Sequence, residues 1–310
     1  VTWESYDACF NQVIPQTAAR YDPDRPYWPS SPHHPLDRAK LSPSYRTASG
    51  DAHVWEVWHE EKRFSWYENH LDFRFVSEYG LWSFPVYETI LSFTEPGDRV
   101  MPSRILDLHN KAGKLSLDNE NMGNERIMKY MATYFKIPAG FEDLVYVSHI
   151  MHGEAVKVGT EAYRRNYPAT TGALYWQIND DWPTISGSSM DYYGRWKALQ
   201  YMAKRFFHPV LVSGKVNGYC VTLWGVNDYL YEIRDAELQW TLAGFDGRRV
   251  KSGKQPVVLA ANSSSVIAEL DFSEEIGEVP EHATYRNTNF ERRSQYYLSY
   301  RIVADGVTLS

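Results

Sequence analysis

The sequence predicts an α/β chain in two parts: a βα-repeat domain over residues 1–207 and an antiparallel β-sandwich over residues 208–310. Three observations carry this. As far as Phe207, short apolar runs that end in polar or aromatic residues alternate with stretches of helical periodicity. Beyond His208-Pro209 that periodicity stops, and β-rich runs recur with Asn-Gly, Asn-Asp and Asp-Gly pairs between them. The length, 310 residues, also exceeds the about 250–300 residues that a single hydrophobic core usually organises.

From the amino terminus, residues 2–20 place Tyr6, Phe10, Val13 and Ile14 on one helical face, with Thr2 as N-cap. Residues 25–32 (RPYWPSSP) read as a buried strand that ends in a loop with His33 and His34. Residues 52–59 (AHVWEVWH) form a short strand after the turn Ser49-Gly50-Asp51. Residues 73–77 make a compact apolar strand that runs into Glu78, Tyr79 and Gly80, so a carboxylate stands at a strand tip. A helical region follows over about 85–168, with Ile127, Met128, Met131 and Phe135, then Met151, Ala155, Val158 and Ala162, at helix spacing. Residues 172–178 form another buried strand, ending in Asn179, Asp180, Asp181 and Trp182, before a helix with Trp196, Leu199, Ala203 and Phe206 on one face. The later runs, from VLVSGKV to YYLSYRIVA, have the spacing of an immunoglobulin-like sandwich.

Composition excludes several classes of function. With 32 Lys and Arg against 39 Asp and Glu the chain carries a net charge of −7, so it lacks the basic face that nucleic acid requires. No apolar run approaches the roughly 18 residues needed to cross a bilayer, and the first residues lack the basic and apolar regions of a signal peptide. No membrane partner is expected, and secreted, lysosomal-like and cytoplasmic locations all stay open. Cys9 and Cys220 fall in different predicted domains and form neither a disulfide framework nor a metal spacing. Aromatic residues make up 15% of the chain, many beside Pro, Ser, Asn and Asp; such surfaces suit sugars, whose C–H faces stack on rings while their hydroxyls take hydrogen bonds.

In a βα-barrel the reactive side chains sit at the C-terminal ends of strands. Glu78, Trp28, His53 with Trp55, and Trp176 with Asn179 and Asp180 all occupy such positions. Each alone is also consistent with a loop salt bridge, a helix cap or a core aromatic; their clustering on one rim is the signal. His149 and His152, with Glu154 nearby, lack the His-Glu-x-x-His order of a zinc site and are expected on a helix surface, so no metal is predicted. Asn262-Ser263-Ser264 is a glycosylation sequon that matters only in a secreted protein.

Four ordered segments, residues 24–32, 50–59, 73–90 and 172–207, together resemble β-mannosidases of glycoside hydrolase family 2, and the resemblance extends over residues 1 to about 215. It implies the C-terminal half of a (β/α)8 TIM barrel, strands five to eight with the helical insertion, followed by the immunoglobulin-like domain. The implied activity is retaining exo-hydrolysis of terminal non-reducing β-D-mannose through a covalent glycosyl-enzyme, without a cofactor. Ser77-Glu78-Tyr79-Gly80 matches the nucleophile motif, making Glu78 the nucleophile; Trp176 is the aromatic platform under the sugar, with Trp28, His53, Trp55 and Asn179 around it. Arg74 shares strand parity with Glu78 and either faces it or fills a polar barrel layer.

The family's acid/base motif, Trp-x-Gly-Asn-x-Glu, has no counterpart at the corresponding place. The acid/base is therefore expected from the N-terminal remainder of the same enzyme, packed against the two open sheet edges of this half-barrel. Gly123-Asn124-Glu125 reads as a helix start, and Glu60 and Glu61 as solvated loop charges. The alternatives are another family 2 exo-glycosidase, acting on β-glucosaminides or β-galactosides, and a noncatalytic carbohydrate-binding relative.

Overall fold

Thr2 opens the chain as expected: its Oγ1 accepts the Ser5 amide at 3.3 Å and caps α1 (Trp3–Asp7). A π-helical turn, Ala8–Val13, joins α1 to α2 (Ile14–Tyr21), and the Ile14 amide reaches five residues back to the Cys9 carbonyl. Pro15 accounts for the wide turn, because it has no N–H to donate and its ring crowds the carbonyl four residues earlier. No residue of these helices is buried, so the predicted face of Tyr6, Phe10, Val13 and Ile14 covers no core among the described residues. The computed structural model describes residues 2–33, 50–112, 123–277 and 293–310; His34 lies outside them. The chain divides into two compact units, Val1–Tyr163 with Ala169–Tyr201, and Arg164–Pro168 with Met202–Ser310.

The first unit is organised by a short parallel sheet. β1 (Ala52–Val54) pairs with β2 (Val76–Tyr79), placing His53 opposite Glu78 and Val54 opposite Tyr79. On the other side of β2 runs a third parallel track: Val76 N–H donates to Gly172 O, Leu174 N–H to Val76 O, and Trp176 N–H to Tyr79 O, at 2.8–2.9 Å. Two predicted strands are corrected here. Residues 25–32 form no strand, since Pro26, Pro29 and Pro32 remove the donors a ladder needs. Residues 172–178 contribute a single bridge at Ala173, and Leu174, Trp176 and Ile178 are exposed rather than buried, because among the described residues no strand pairs beyond them. The described part of this unit is therefore helices around a short parallel sheet, not a clear half-cylinder.

Helices wrap that sheet. The run 52–59 leaves the strand at Trp55 and becomes α3 (Glu56–His59), which buries Val57 and Trp58; α4 (Trp66–Asn69) follows and buries Tyr67. After β2 come α5 (Tyr87–Leu91), α6 (Arg104–Leu108), α7 (Gly123–Tyr134) and α8 (Phe141–Arg165). Ile127 and Met131 of α7 are buried, as are Met151, Ala155, Val156 and Ala162 of α8. Tyr79 packs edge-on against Tyr67 and Tyr163, and its hydroxyl meets Thr160 Oγ1 at 2.5 Å, which fixes the end of β2 from below. His149 and His152 are buried rather than on the helix surface. His149 Nε2 lies 2.9 Å from Phe84 O, and His152 Nδ1 lies 3.0 Å from Ser83 Oγ. α8 buries residues on several sides, so an apolar stripe alone did not mark its interior positions.

α9 (Ala198–Phe206) leads into the second unit, a sandwich of two antiparallel sheets. One sheet holds β3 (Val210–Asn217), β4 (Cys220–Asn227) and β7 (Ser263–Asp271) in the order β3-β4-β7. The other holds β5 (Ile233–Gly244), β6 (Arg249–Leu259), β8 (Tyr296–Ala304) and β9 (Val307–Thr308) in the order β6-β5-β8-β9. A short helix, α10 (Ser273–Ile276), follows β7. Leu223, Leu238, Leu242, Leu259 and Ile302 form the shared core, with Trp240 against Phe272. Pro256 is tolerated in β6 because that strand is an edge. Asp305 and Gly306 link β8 to β9 with φ of 50° and 75°, the two positive angles a tight type I′ hairpin demands.

Candidate active site

Glu78 is the third residue of β2, between Ser77 and the buried Tyr79. Each carboxylate oxygen meets a donor-bearing ring from the β1 side. Trp55 Nε1–H donates to Oε2 at 3.1 Å, and His53 Nε2 lies 3.3 Å from Oε1. Only 23% of the Glu78 side chain is exposed, so the carboxylate is neither sunk in the core nor swinging in water. The turn of the chain at Trp55, where β1 gives way to α3, is what swings the indole back over β2. Arg74 is exposed and donates to Ala169 O at 3.3 Å.

Asp51 stands beside this pair and was not singled out from the sequence. Ser31 Oγ and Ser77 Oγ donate to its Oδ2 at 2.5 and 2.6 Å, while the His33 amide and Trp28 Nε1 donate to its Oδ1 at 2.7 and 3.3 Å. Burial acts to raise its pKa, but the bonds from Ser31, Ser77, His33 and Trp28 outweigh it and hold the carboxyl below its ordinary value. Ser31 Oγ also lies 3.0 Å from His53 Nε2, so the Asp51 cluster is continuous with Glu78. Through Asp51 the predicted residue Trp28 joins the same network, its ring edge-on to His33. The only hint in the sequence was the Gly50-Asp51 turn, where Gly50 takes φ +78°.

Trp176 enters through its backbone, hung on the Tyr79 carbonyl next to Glu78, and its side chain is 47% exposed. Two glycines allow this approach. A Cβ on Gly80 would lie 2.9 Å from Trp176 O, and one on Gly187 would lie 2.5 Å from the same atom. Asn179 is not brought to the cluster. It is exposed, and its carbonyl accepts a bond from Gln177 Nε2. Its neighbour Asp180 is buried instead, taking Ser186 and Ser188 hydroxyls at 2.8 and 2.5 Å and Lys111 Nζ at 3.1 Å.

The loops that follow β2 and Trp176 are clasped together. Ser83 and Ser186 form an antiparallel bridge, and the fully buried Lys197 points its ammonium at both carbonyls, 3.2 Å from Ser186 O and 3.5 Å from Ser83 O. Burial pulls the Lys197 pKa down to about 8, against the attraction of Asp180 and Asp191. The other carboxylates weighed from the sequence have partners of their own: Glu61 pairs with Arg126 and Lys129, and Glu60 with Lys62 at 3.6 Å. Glu125 is exposed in the first turn of α7. Among the described residues no group of three His, Cys, Asp or Glu is placed to hold a metal ion.

The chain is similar to known proteins in both sequence and fold. A family described as "Mannosidase Ig/CBM-like domain" matches residues 220–310. β-Mannosidase B of Aspergillus terreus is 32% identical over 210 residues, which is 66% of this chain and 23% of that protein. The crystal structure of a β-D-mannosidase from Dictyoglomus thermophilum superposes with a TM-score of 0.81 at 32% identity, covering 98% of this chain and 34% of that one. An exo-chitosanase from Amycolatopsis orientalis shares the fold over 76% of this chain and 26% of its own, with a TM-score of 0.57 at 16% identity. The chain spans 22–24% of the length of the curated relatives it matches. In sequence and fold it thus resembles a portion of the β-mannosidases of glycoside hydrolase family 2.

Proposed function

We propose that this relative of the family 2 β-mannosidases carries the nucleophile side of a retaining exo-β-mannosidase, which releases terminal non-reducing β-D-mannose. The observation that supports this most is Glu78, a strand-end carboxylate met by Trp55 on one oxygen and His53 on the other. In this reading Glu78 attacks the anomeric carbon and forms a covalent glycosyl-enzyme, while a second carboxyl group about 5–5.5 Å away gives the leaving oxygen its proton. Asp51 is ill suited to be that acid, because four donors hold it in the ionised form. The acid/base glutamate belongs, on this proposal, to a part of the longer protein outside this chain.

Trp176 offers its ring face to the sugar, with Trp28, Trp55 and His53 around it. Residues 1–207 belong to the C-terminal half of a (β/α)8 barrel, completed by the remainder of the enzyme; residues 208–310 are the immunoglobulin-like domain. The parallel pairing of β1, β2 and the 172–176 track supports the barrel reading. The substrate is an oligosaccharide or glycoside ending in β-mannose, and the chemistry needs no cofactor.

A 2-fluoro-mannosyl inactivator applied to the full-length protein should attach to the peptide that contains Glu78, read by mass spectrometry. Label on another carboxylate removes Glu78 from the role, and an intact protein that binds mannosides without acquiring label is a noncatalytic relative. A panel of nitrophenyl glycosides should show faster cleavage of the β-mannoside than of the β-glucosaminide or β-galactoside.

A further inference from the structure

We propose that Asp51 is a positioning residue that sets, through Ser31, which nitrogen of His53 carries the proton. The bonding leaves little freedom. Asp51 Oδ1 faces two donors that cannot turn, the His33 backbone N–H and the Trp28 indole N–H. Oδ2 faces two that can, the hydroxyls of Ser31 at 2.5 Å and Ser77 at 2.6 Å. An ionised carboxylate only accepts, and its two short contacts take both hydroxyl protons in preference to the longer ones, Ser31 Oγ to Ser77 Oγ at 3.3 Å and Ser77 Oγ to Ala52 O at 3.4 Å. Ser31 Oγ, 3.0 Å from His53 Nε2, can then only accept from the ring. The proton therefore sits on Nε2, which also faces Glu78 Oε1 at 3.3 Å. With the opposite tautomer, a bare Nε2 would confront both a hydroxyl with no proton to give and a carboxylate.

The chain of bonds thus runs from Asp51 through Ser31 to His53 and ends on the oxygen of Glu78. The charged and titratable groups it involves are Asp51 on the loop before β1, His53 on β1 and Glu78 on β2, with His33 contributing its backbone amide. The consequence for turnover rests on the glycosidase reading of Glu78, whereas the tautomer does not depend on it.

Asp51→Asn reverses the chain. The amide must turn its oxygen to the two fixed donors, so its NH2 group faces Ser31 and Ser77. Their hydroxyls rotate, Ser31 donates to His53 Nε2, and the ring proton moves to Nδ1. The test is nitrogen-15 NMR of the histidine rings in the full-length protein, free of substrate, with His53 assigned by its loss in His53→Gln. At a pH where the ring carries a single proton, the parent should show a protonated Nε2 and a bare Nδ1, and Asp51→Asn the inverse pattern. Ser31→Ala removes the relay and leaves Glu78 Oε1 as the acceptor of the ring proton, so Nε2 should stay protonated, and Asp51→Asn added to it should no longer invert the pattern. A bare Nε2 in the parent, an unchanged pattern in a folded Asp51→Asn, or an inversion by Asp51→Asn that persists without Ser31, overturns the proposal. In the full-length protein, Asp51→Asn should lower kcat/KM for a nitrophenyl β-mannoside at least tenfold. For comparison, replacing the carboxylate that holds a catalytic imidazole directly costs about 10⁴-fold in a serine protease. Unchanged kcat/KM with an inverted tautomer would leave the relay standing and sink its role in turnover.

Discussion

His53 and Glu78 stand opposite each other on parallel strands, with the imidazole Nε2 3.3 Å from the carboxylate Oε1. The pairing is a consequence of register: a one-residue slip of β1 against β2 would send the ring to the other face of the sheet. It joins the candidate nucleophile to the side of the sheet that carries Trp55 and Asp51.

Glu78→Gln keeps the shape of the side chain and removes the attacking charge. Turnover of a nitrophenyl β-mannoside by the full-length protein should fall by several powers of ten, while circular dichroism and the melting temperature stay close to the parent. Retained activity would refute the assignment.

Trp176→Ala removes a half-exposed ring and leaves the backbone bond to Tyr79 O in place. Mannoside binding and kcat should fall together, with a smaller effect on melting than a fully buried tryptophan would give. A large drop in stability without a change in KM would mark the ring as structural.

Gly187→Ala places a Cβ 2.5 Å from the Trp176 carbonyl, and a backbone atom cannot step aside as a flexible side chain can. The expected cost is about 1–3 kcal/mol, read from denaturant unfolding, together with reduced activity because the segment under the ring shifts. A fully stable, fully active variant would show that the loop relaxes freely.

Lys197 predicts an alkaline signature. Its pKa is lowered to about 8 in the fold from 10.5, so between those values the unfolded chain holds a proton that the native chain has released, and stability rises with pH on its account. The window is best read between pH 8 and 10, because the buried Tyr67, Tyr79 and Tyr163 have raised pKa values and work against the native state above their ordinary value of 10.0. Lys197→Met should flatten the slope of melting temperature against pH in that range. An identical slope in the variant would show that the ammonium is not the titrating group.

The sandwich was legible in the sequence because β-rich runs recur between turn pairs that carry their own chemistry, as at Asp305-Gly306. Glu78 was legible because an apolar run ends on it. Less could be read of the parallel region, where three prolines cancel an apparent strand at residues 25–32 and the track at residues 172–178 keeps one face open. Asp51 was missed for a different reason. Its partners at positions 28, 31, 33 and 77 come from separate stretches of chain, and nothing local distinguishes such an acceptor from any aspartate in a turn. His149 and His152 were misplaced because a helix packed on several sides has no single wet flank to read.

The amide of Trp176 hangs directly from the carbonyl of Tyr79, the residue after Glu78. That bond ties the main chain at residue 176 to the end of β2, while the indole and the Glu78 carboxylate each keep their own rotamers. A loop redesigned after residue 176 will therefore have to keep that amide in place, since losing it would free the open edge of β2 beside Glu78.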